Sequence, residues 1–497
     1  MPKLASPQTG RSFAQERGTI FAGMTTLTTK RTFLAVLFLG LFAMACCNVD
    51  DPDVWWHLKA GEYIAAHQRV PRADPFSYTR AGQPWVAHEW LTELALYELC
   101  RVTGFAGLIL AFAAILAGAF VLLYLRCAAA PYIAGCLALW AALATRPVWG
   151  VRPQVISLFL VSLWLLLLER ADKNPKLLWW TVPLTLLWVN LHAGFALGLA
   201  VYAVFLLGAL IEHAFRYRAP NPPWRLSFVV FGIDLLLVPL NPSGLRLYSY
   251  PFETLRSAAM QTYIAEWASP NFHRAEYWPF LLLVLAIFAA LAYVQIPVRS
   301  RDLLLLLASF FASLESIRMI PFFVLIAIPM LSHRLRTWPL THHRSARTRP
   351  QTVLNTTIIL AMIAFAAIHV TQVINRQPAV EAQEFPARAV AFLIAHPTNG
   401  RIFNDYDWGG YLIWKLPSIQ VFIDGRADLY GKGLFDNFAN AYQFKDGWQQ
   451  ILERWQVQTV IVPSNSALAT GLRNNHVWNI TYRDSQATIL TASAETP

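Results

Sequence analysis

Charge is scarce in this chain. Only 14% of its 497 residues are Asp, Glu, Lys or Arg, whereas 56% are hydrophobic. Soluble domains carry about 25% charged residues, so a soluble globular class is excluded and a polytopic α-helical membrane protein is implied. Cysteine is also sparse. The five present, Cys46, Cys47, Cys100, Cys127 and Cys136, all precede residue 137, which excludes a disulfide framework in the C-terminal region. Acids are outnumbered by 29 to 40, a net charge of +11. The basic residues gather in short loops between apolar runs, where the positive-inside bias accounts for them, so nucleic-acid binding is not implied. There is no long repeat, and the only biased tract is the basic loop from Thr341 to Pro350.

What is abundant is apolar sequence of membrane-crossing length. Runs at about 32–48, 104–125, 131–146, 153–169, 177–192, 194–214, 226–240, 278–297, 302–317, 319–333 and 352–374 predict about eleven transmembrane helices. Two pairs are nearly continuous and are separated only at Asn190 to Gly194 and at Glu315 to Pro321. Residues 1–31 are polar and basic and read as a cytoplasmic tail. With that tail inside, the inside loops hold Arg126, then Arg170, Lys173 and Lys176, then Arg216, Arg218 and Arg225, then Arg299 and Arg301, then Arg334 to Arg349. The bias predicts N-inside and C-outside. Residues 32–375 then form the bundle, with a large first outer loop at 48–103. Residues 376–497 have ordinary polarity and form an extracytoplasmic α/β domain. In it, helices are expected at Pro386 to His396 and Trp448 to Trp455, and strands at Arg401 to Phe403, Gln420 to Asp424 and Thr459 to Pro463.

The first outer loop opens with Asp50-Asp51-Pro52-Asp53-Val54-Trp55-Trp56-His57 and continues through Asp74 to His88-Glu89-Trp90. Acids are costly in hydrocarbon, so a cluster where a membrane helix emerges into water is a site hypothesis, weighed against a plain helix cap. A carboxylate there suits removal of a proton from an acceptor hydroxyl or amine attacking a sugar's anomeric carbon. It also suits stabilisation of positive charge developing on the ring. Asp51 and Asp53 are the candidate catalytic residues, with His57, His88 and Glu89 lining the pocket.

A phosphate leaving group needs cations. Arg146 and Arg152 lie in Thr145-Arg146-Pro147-Val148-Trp149-Gly150-Val151-Arg152, and Arg318 lies in the break between two apolar runs. Guanidinium grips phosphate by paired charge-assisted hydrogen bonds; the alternative is that each arginine snorkels to lipid headgroups. His192 reads as an interhelical hydrogen bond or a substrate contact, and Asp234 as a buried pairing residue. No cofactor is required by the sequence. Asp51, Asp53 and His57 offer oxygen and imidazole to a divalent metal, but that set is thin and no metal ligand is assigned.

These features together resemble the integral-membrane glycosyltransferases of the GT-C fold class. The shared marks are a first outer loop opening with acids, many helices, phosphate-binding arginines and a C-terminal outer domain. The resemblance implies a polyprenyl-phosphate-linked sugar donor and a lipid, protein or glycan acceptor. It further implies an inverting transfer at the outer face of the plasma (inner) membrane, and by position a catalytic acid at Asp51 or Asp53. Asp405-Tyr406-Asp407-Trp408-Gly409-Gly410-Tyr411 also resembles the Trp-Trp-Asp-Tyr-Gly motif of oligosaccharyltransferase subunits, without the tryptophan pair and in a different order. Asp424-Gly425-Arg426 either contacts the acceptor or closes a strand. A transporter or flippase of a lipid-linked sugar would use the same arginines but should place charges at mid-membrane in a pseudo-repeated pattern. A non-enzymatic assembly protein would leave the density of acids after the first helix unexplained.

Overall fold

The computed structural model describes residues 28–215, 224–337, 349–398, 400–475 and 477–493. Most of the N-terminal tail, Arg216, Arg218 and the loop at 338–348 lie outside these residues. Each of the eleven apolar runs contains a helix. Among the described residues, six helical stretches are long and apolar enough to cross a membrane: Trp90–Arg126, Pro153–Ala171, Phe195–Ala214, Ala275–Tyr293, Ile317–Arg334 and Gln351–Glu384. The other five runs form shorter helices, Thr29–Ala45, Pro131–Thr145, Thr181–Leu191, Trp224–Leu237 and Ser300–Glu315.

The elements that position the site are few. Helix α1 (Thr29–Ala45) ends just before the acids, and α2 (Asp53–His67) begins at Asp53. Helix α3 (Trp90–Arg126) has a sharp break at Gly104, whose φ of 64° is the left-handed geometry that glycine adopts without strain. Its first turns are therefore redirected from the apolar remainder and packed against α2. The contact is close because Gly61 of α2 has no side chain: a β-carbon there would collide with the backbone carbonyl of Glu93. Proline at the first helical turn starts Pro153–Ala171 immediately after Arg152.

Helix α4 (Arg349–Glu384) has 36 residues and does not stop where its apolar run does. At about 1.5 Å per residue it is roughly 54 Å long, against a hydrocarbon core of about 30 Å. Near its far end Gln377 holds the segment after α1 at both backbone groups, accepting from Val49 N (2.8 Å) and donating to Val49 O (2.9 Å). Asn48 donates to Val373 O at 2.7 Å.

Beyond α4, Ala387–Ala395 is helical, and four strands form one sheet: β1 (Arg401–Asn404), β2 (Val457–Pro463), β3 (Trp478–Arg483) and β4 (Ala487–Ala492). Their order is β1-β2-β4-β3, with β1 parallel to β2 and the other pairings antiparallel. The expected strand at Gln420 to Asp424 is not one. Val421 makes only isolated bridges, to Ser77 and to Ile402, because this segment is shared between the first loop and the sheet edge. The α/β unit is locked onto α2 by Trp55, which is fully buried with its ring centroid 5.3 Å from Phe385 and 4.9 Å from Tyr411. Trp408 Nε1 donates to Glu384 O (3.3 Å) and Tyr411 donates to Glu381 (3.1 Å), so the Asp405 to Tyr411 motif seats this unit on the end of α4.

Candidate active site

The polar segments singled out along the chain meet at one end of the bundle. Trp90 Nε1 donates to Asn190 Oδ1 (2.8 Å), Thr92 donates to Leu191 O (2.6 Å), and Asn241 Nδ2 donates to both His88 O (3.1 Å) and Val189 O (2.9 Å). These bonds moor the His88 to Glu93 turn.

Asp51 and Asp53 have different surroundings. Asp51 is 5% exposed; its Oδ1 accepts from the Asp53 backbone N–H (2.9 Å) and its Oδ2 pairs with Arg152. Arg152 also pairs with Glu266, whose second oxygen lies 3.6 Å from Arg318 Nε. Arg318 donates to Gln154 Oε1 (3.1 Å) and lies over the Trp267 ring. The acids after α1 and two arginines from distant parts of the chain therefore share one ion-pair chain, with Glu266 at its centre. Burial lowers the Arg152 guanidinium to about 10, with the Arg318 charge acting the same way.

Asp53 is half-buried. Trp56 Nε1 donates to its Oδ1 at 3.0 Å, and the backbone of Gly425 lies against that same oxygen. Burial raises its carboxyl to about 7; the Trp56 hydrogen bond and the Arg318 charge oppose the rise, while Asp407 and Asp424 add to it. Asp407 is itself raised to about 6, by burial and then by Asp405. Arg146 stands outside the ion-pair chain, exposed, with its guanidinium 5.5 Å from the Trp149 ring centroid.

His57, His88 and Glu89 form a second group. His57 Nδ1 lies 3.8 Å from both Glu89 Oε1 and Glu93 Oε1, and His88 Nε2 lies 3.7 Å from Glu89 Oε2. Burial drives His57 well below the ordinary histidine value, with His88 adding to the effect. Burial, Glu93 and Asp428 drive Glu89 well above the ordinary carboxylate value, with Arg318 opposing. His57 thus does not join Asp51 and Asp53 as a ligand set: Asp51 takes Arg152, Asp53 takes Trp56, and His57 turns to the glutamates.

Other singled-out residues are structural. His192 Nδ1 meets Ser157 Oγ at 2.8 Å and accepts from Gly194 N–H, an interhelical bond. Asp234 accepts from Thr181 (2.8 Å) and Thr185 (3.0 Å). Arg426 is 1% exposed and ion-paired to Asp424 (2.6 Å) and Asp74 (2.7 Å), and its guanidinium lies 5.1 Å from the Phe76 ring and 4.7 Å from Trp85. It locks the first loop to the α/β unit rather than pairing with Asp53. Glu266 and Glu93 are not singled out by the sequence; Asp407 is, but as part of the Asp405 to Tyr411 motif and not as a neighbour of Asp53. Glu93 had a legible signal, since it follows Glu89 by four residues at a helix start and so shares its face. Glu266, one of three acids spread through a long loop with Glu253 and Glu276, had none.

Neither a protein-family profile nor a curated protein sequence matches the chain. Solved structures do match. The archaeal oligosaccharyltransferase AglB from Archaeoglobus fulgidus, in complex with an inhibitory peptide and a dolichol-phosphate, is similar at a TM-score of 0.57 and 11% identity, over 94% of this chain and 75% of that one. ArnT from Cupriavidus metallidurans bound to undecaprenyl phosphate is similar at a TM-score of 0.51 and 11% identity, over 97% and 99%. The fold is therefore the one expected from the sequence, that of the GT-C class of membrane glycosyltransferases.

Proposed function

We propose that this chain is a membrane glycosyltransferase that moves a sugar from a polyprenyl-phosphate carrier to an acceptor. The observation that carries the reading is the ion-pair chain from Asp51 through Arg152 and Glu266 to Arg318, with half-buried Asp53 tied to it by its backbone N–H on Asp51 Oδ1. The fold shared with AglB and ArnT, both solved with a polyprenyl-type phosphate, supports it. In this reading all eleven apolar helices cross the membrane, with the N-terminus inside. The bundle of residues 32–375 carries the α/β domain of residues 376–497 on the outer face of the plasma membrane.

Asp53 is the base. A carboxyl near 7 is about half ionised at neutral pH and strong enough to take a proton, matching the requirement that a general base titrate near the working pH. It removes the proton from the acceptor hydroxyl or amine as that atom bonds to the anomeric carbon. The bond from that carbon to the phosphate oxygen breaks with inversion, and the electron pair leaves with the polyprenyl phosphate. Arg152 and Arg318 receive the resulting negative charge. Asp51 is a positioning residue that orients Arg152 and caps the turn at Asp53. His57, His88 and Glu89 support the pocket wall, and Arg146 meets the donor headgroup at the rim.

Purified protein in lipid nanodiscs, incubated with radiolabelled polyprenyl-phosphate sugars and membrane extract, is expected to transfer label to an acceptor, and Asp53→Asn to abolish transfer while still inserting. Wild-type turnover by Asp53→Asn would overturn the assignment of the base. Absence of transfer across a panel of donor sugars, with donor binding intact, would overturn the enzyme reading.

A further inference from the structure

The crossing of α2 and α3 creates a cluster to which the transfer reaction assigns no chemical step. His57 and Gly61 are four residues apart on one face of α2, and Glu89 and Glu93 are four apart at the start of α3. Because Gly61 lets the helices touch at Glu93, His57 is placed one turn away, directly opposite both glutamates. Among the described residues this is the cluster whose geometry suits a metal ion, with one ligand atom from each residue and all three atoms within 4.8 Å of one another. The three residues are 3%, 7% and 0% exposed.

A second feature separates this cluster from an ordinary group of acids. His57 Nδ1 and both carboxylate oxygens of Glu93 are buried, yet none makes a hydrogen bond to the protein. Leaving a buried polar group unsatisfied costs about 1–3 kcal/mol, and more for a charged one, so a ligand that bonds to these atoms would offset that cost. The moorings of this turn to Asn190, Leu191 and Asn241 hold it in place rather than bonding to these atoms.

We propose that His57, Glu89 and Glu93 form a binding site for a divalent transition-metal ion, Zn²⁺ or Mn²⁺. One imidazole with two carboxylates is a donor set of intermediate softness, which suits these ions better than Ca²⁺ or Cu⁺. Bonds of about 2.0–2.2 Å at tetrahedral angles set ligand atoms roughly 3.3–3.6 Å apart. The two observed separations of 3.8 Å reach that range with small side-chain movements. His88 lies beside the cluster, with Nε2 3.7 Å from the other Glu89 oxygen. The ion would fasten α2 to the start of α3 one turn from Asp53, fixing the base's helix against the bundle. This site does not depend on the transfer reading, because its test needs no sugar.

Full-length protein purified in detergent, stripped with a chelator and titrated with Zn²⁺ or Mn²⁺ alone, is expected to bind about one equivalent by elemental analysis and to unfold several degrees higher with metal. Glu93→Gln and His57→Ala should each weaken binding by at least 10-fold, while Asp53→Asn retains it. Less than a tenth of an equivalent in wild-type protein, with no metal-dependent thermal shift, would overturn the site. So would undiminished binding in both ligand variants, or loss in Asp53→Asn alone. The wild-type titration decides the matter even if a ligand variant fails to fold.

Discussion

The backbone of Gly425 presses directly on the carboxylate of Asp53: a β-carbon at position 425 would collide with Oδ1. The base proposed at the start of the chain is therefore walled in by a glycine from its last quarter. Gly425→Ala must push either Asp53 or the α/β unit aside. Overpacking of this kind costs about 1–3 kcal/mol. The expected outcome is a transfer rate at least 10-fold lower with a modest drop in unfolding temperature, read by turnover and thermal unfolding on the same preparation.

The pH dependence follows from Asp53. Its carboxyl is raised to about 7, so the base form accumulates as pH rises. The rate should climb about 10-fold per unit below 7 and level off above it. Stability should run the other way. The folded state holds a proton that the unfolded chain releases near the ordinary value of 3.9, so the contribution is fully present at low pH and is lost as pH rises from about 4 to 7. Asp53→Asn should remove this component of the slope. A stability profile unchanged by that substitution would contradict the raised carboxyl.

Arg318 and Arg152 face the same glutamate, Glu266, and in the proposed reaction the donor phosphate takes its place between them. Lysine keeps the charge but not the forked geometry. Arg318→Lys should raise the KM for the polyprenyl-phosphate donor about 10-fold or more with little change in acceptor KM. An effect confined to the acceptor would place the phosphate elsewhere.

Arg426 should behave differently. With both carboxylate partners buried, removing it leaves uncompensated charge, and breaking a buried pair costs about 3–5 kcal/mol. Arg426→Met is expected to lower the unfolding temperature sharply and to lose activity only in step with unfolding. Full stability with lost turnover would assign Arg426 to the acceptor instead.

The helices of the bundle were legible because hydrocarbon imposes one rule, long apolar runs, and each run did become a helix. Their individual lengths were less so, since Gly104 and the continuation of α4 to Glu384 are set by packing rather than by hydropathy. At the candidate site, Asp51, Asp53 and three arginines stood out because charge is rare in such a chain, and of the arginines Arg152 and Arg318, not Arg146, join the ion-pair chain. The division of labour between Asp51 and Asp53 did not stand out, because it depends on Arg152 arriving from a separate loop. Asp424-Gly425-Arg426 left two roles open for the same reason: a buried triad and an exposed contact use the same residues. Val421 defeated strand reading because its partners, Ser77 and Ile402, lie on two different parts of the fold.

Helix α4 links the bundle to the α/β unit as a rod of 36 residues, with Gln377 clamped to Val49 near its end. Rotational phase is consequently inherited along it. One residue inserted upstream of Gln377 would turn everything beyond by about 100° and advance it by about 1.5 Å. Gly425 would swing off the carboxylate it covers, whereas an insertion of seven residues would nearly restore the angle but displace the unit by about 10 Å. The spacing between the bundle and the sheet is in this sense part of the proposed site, and both insertions should leave an inserted but inactive protein.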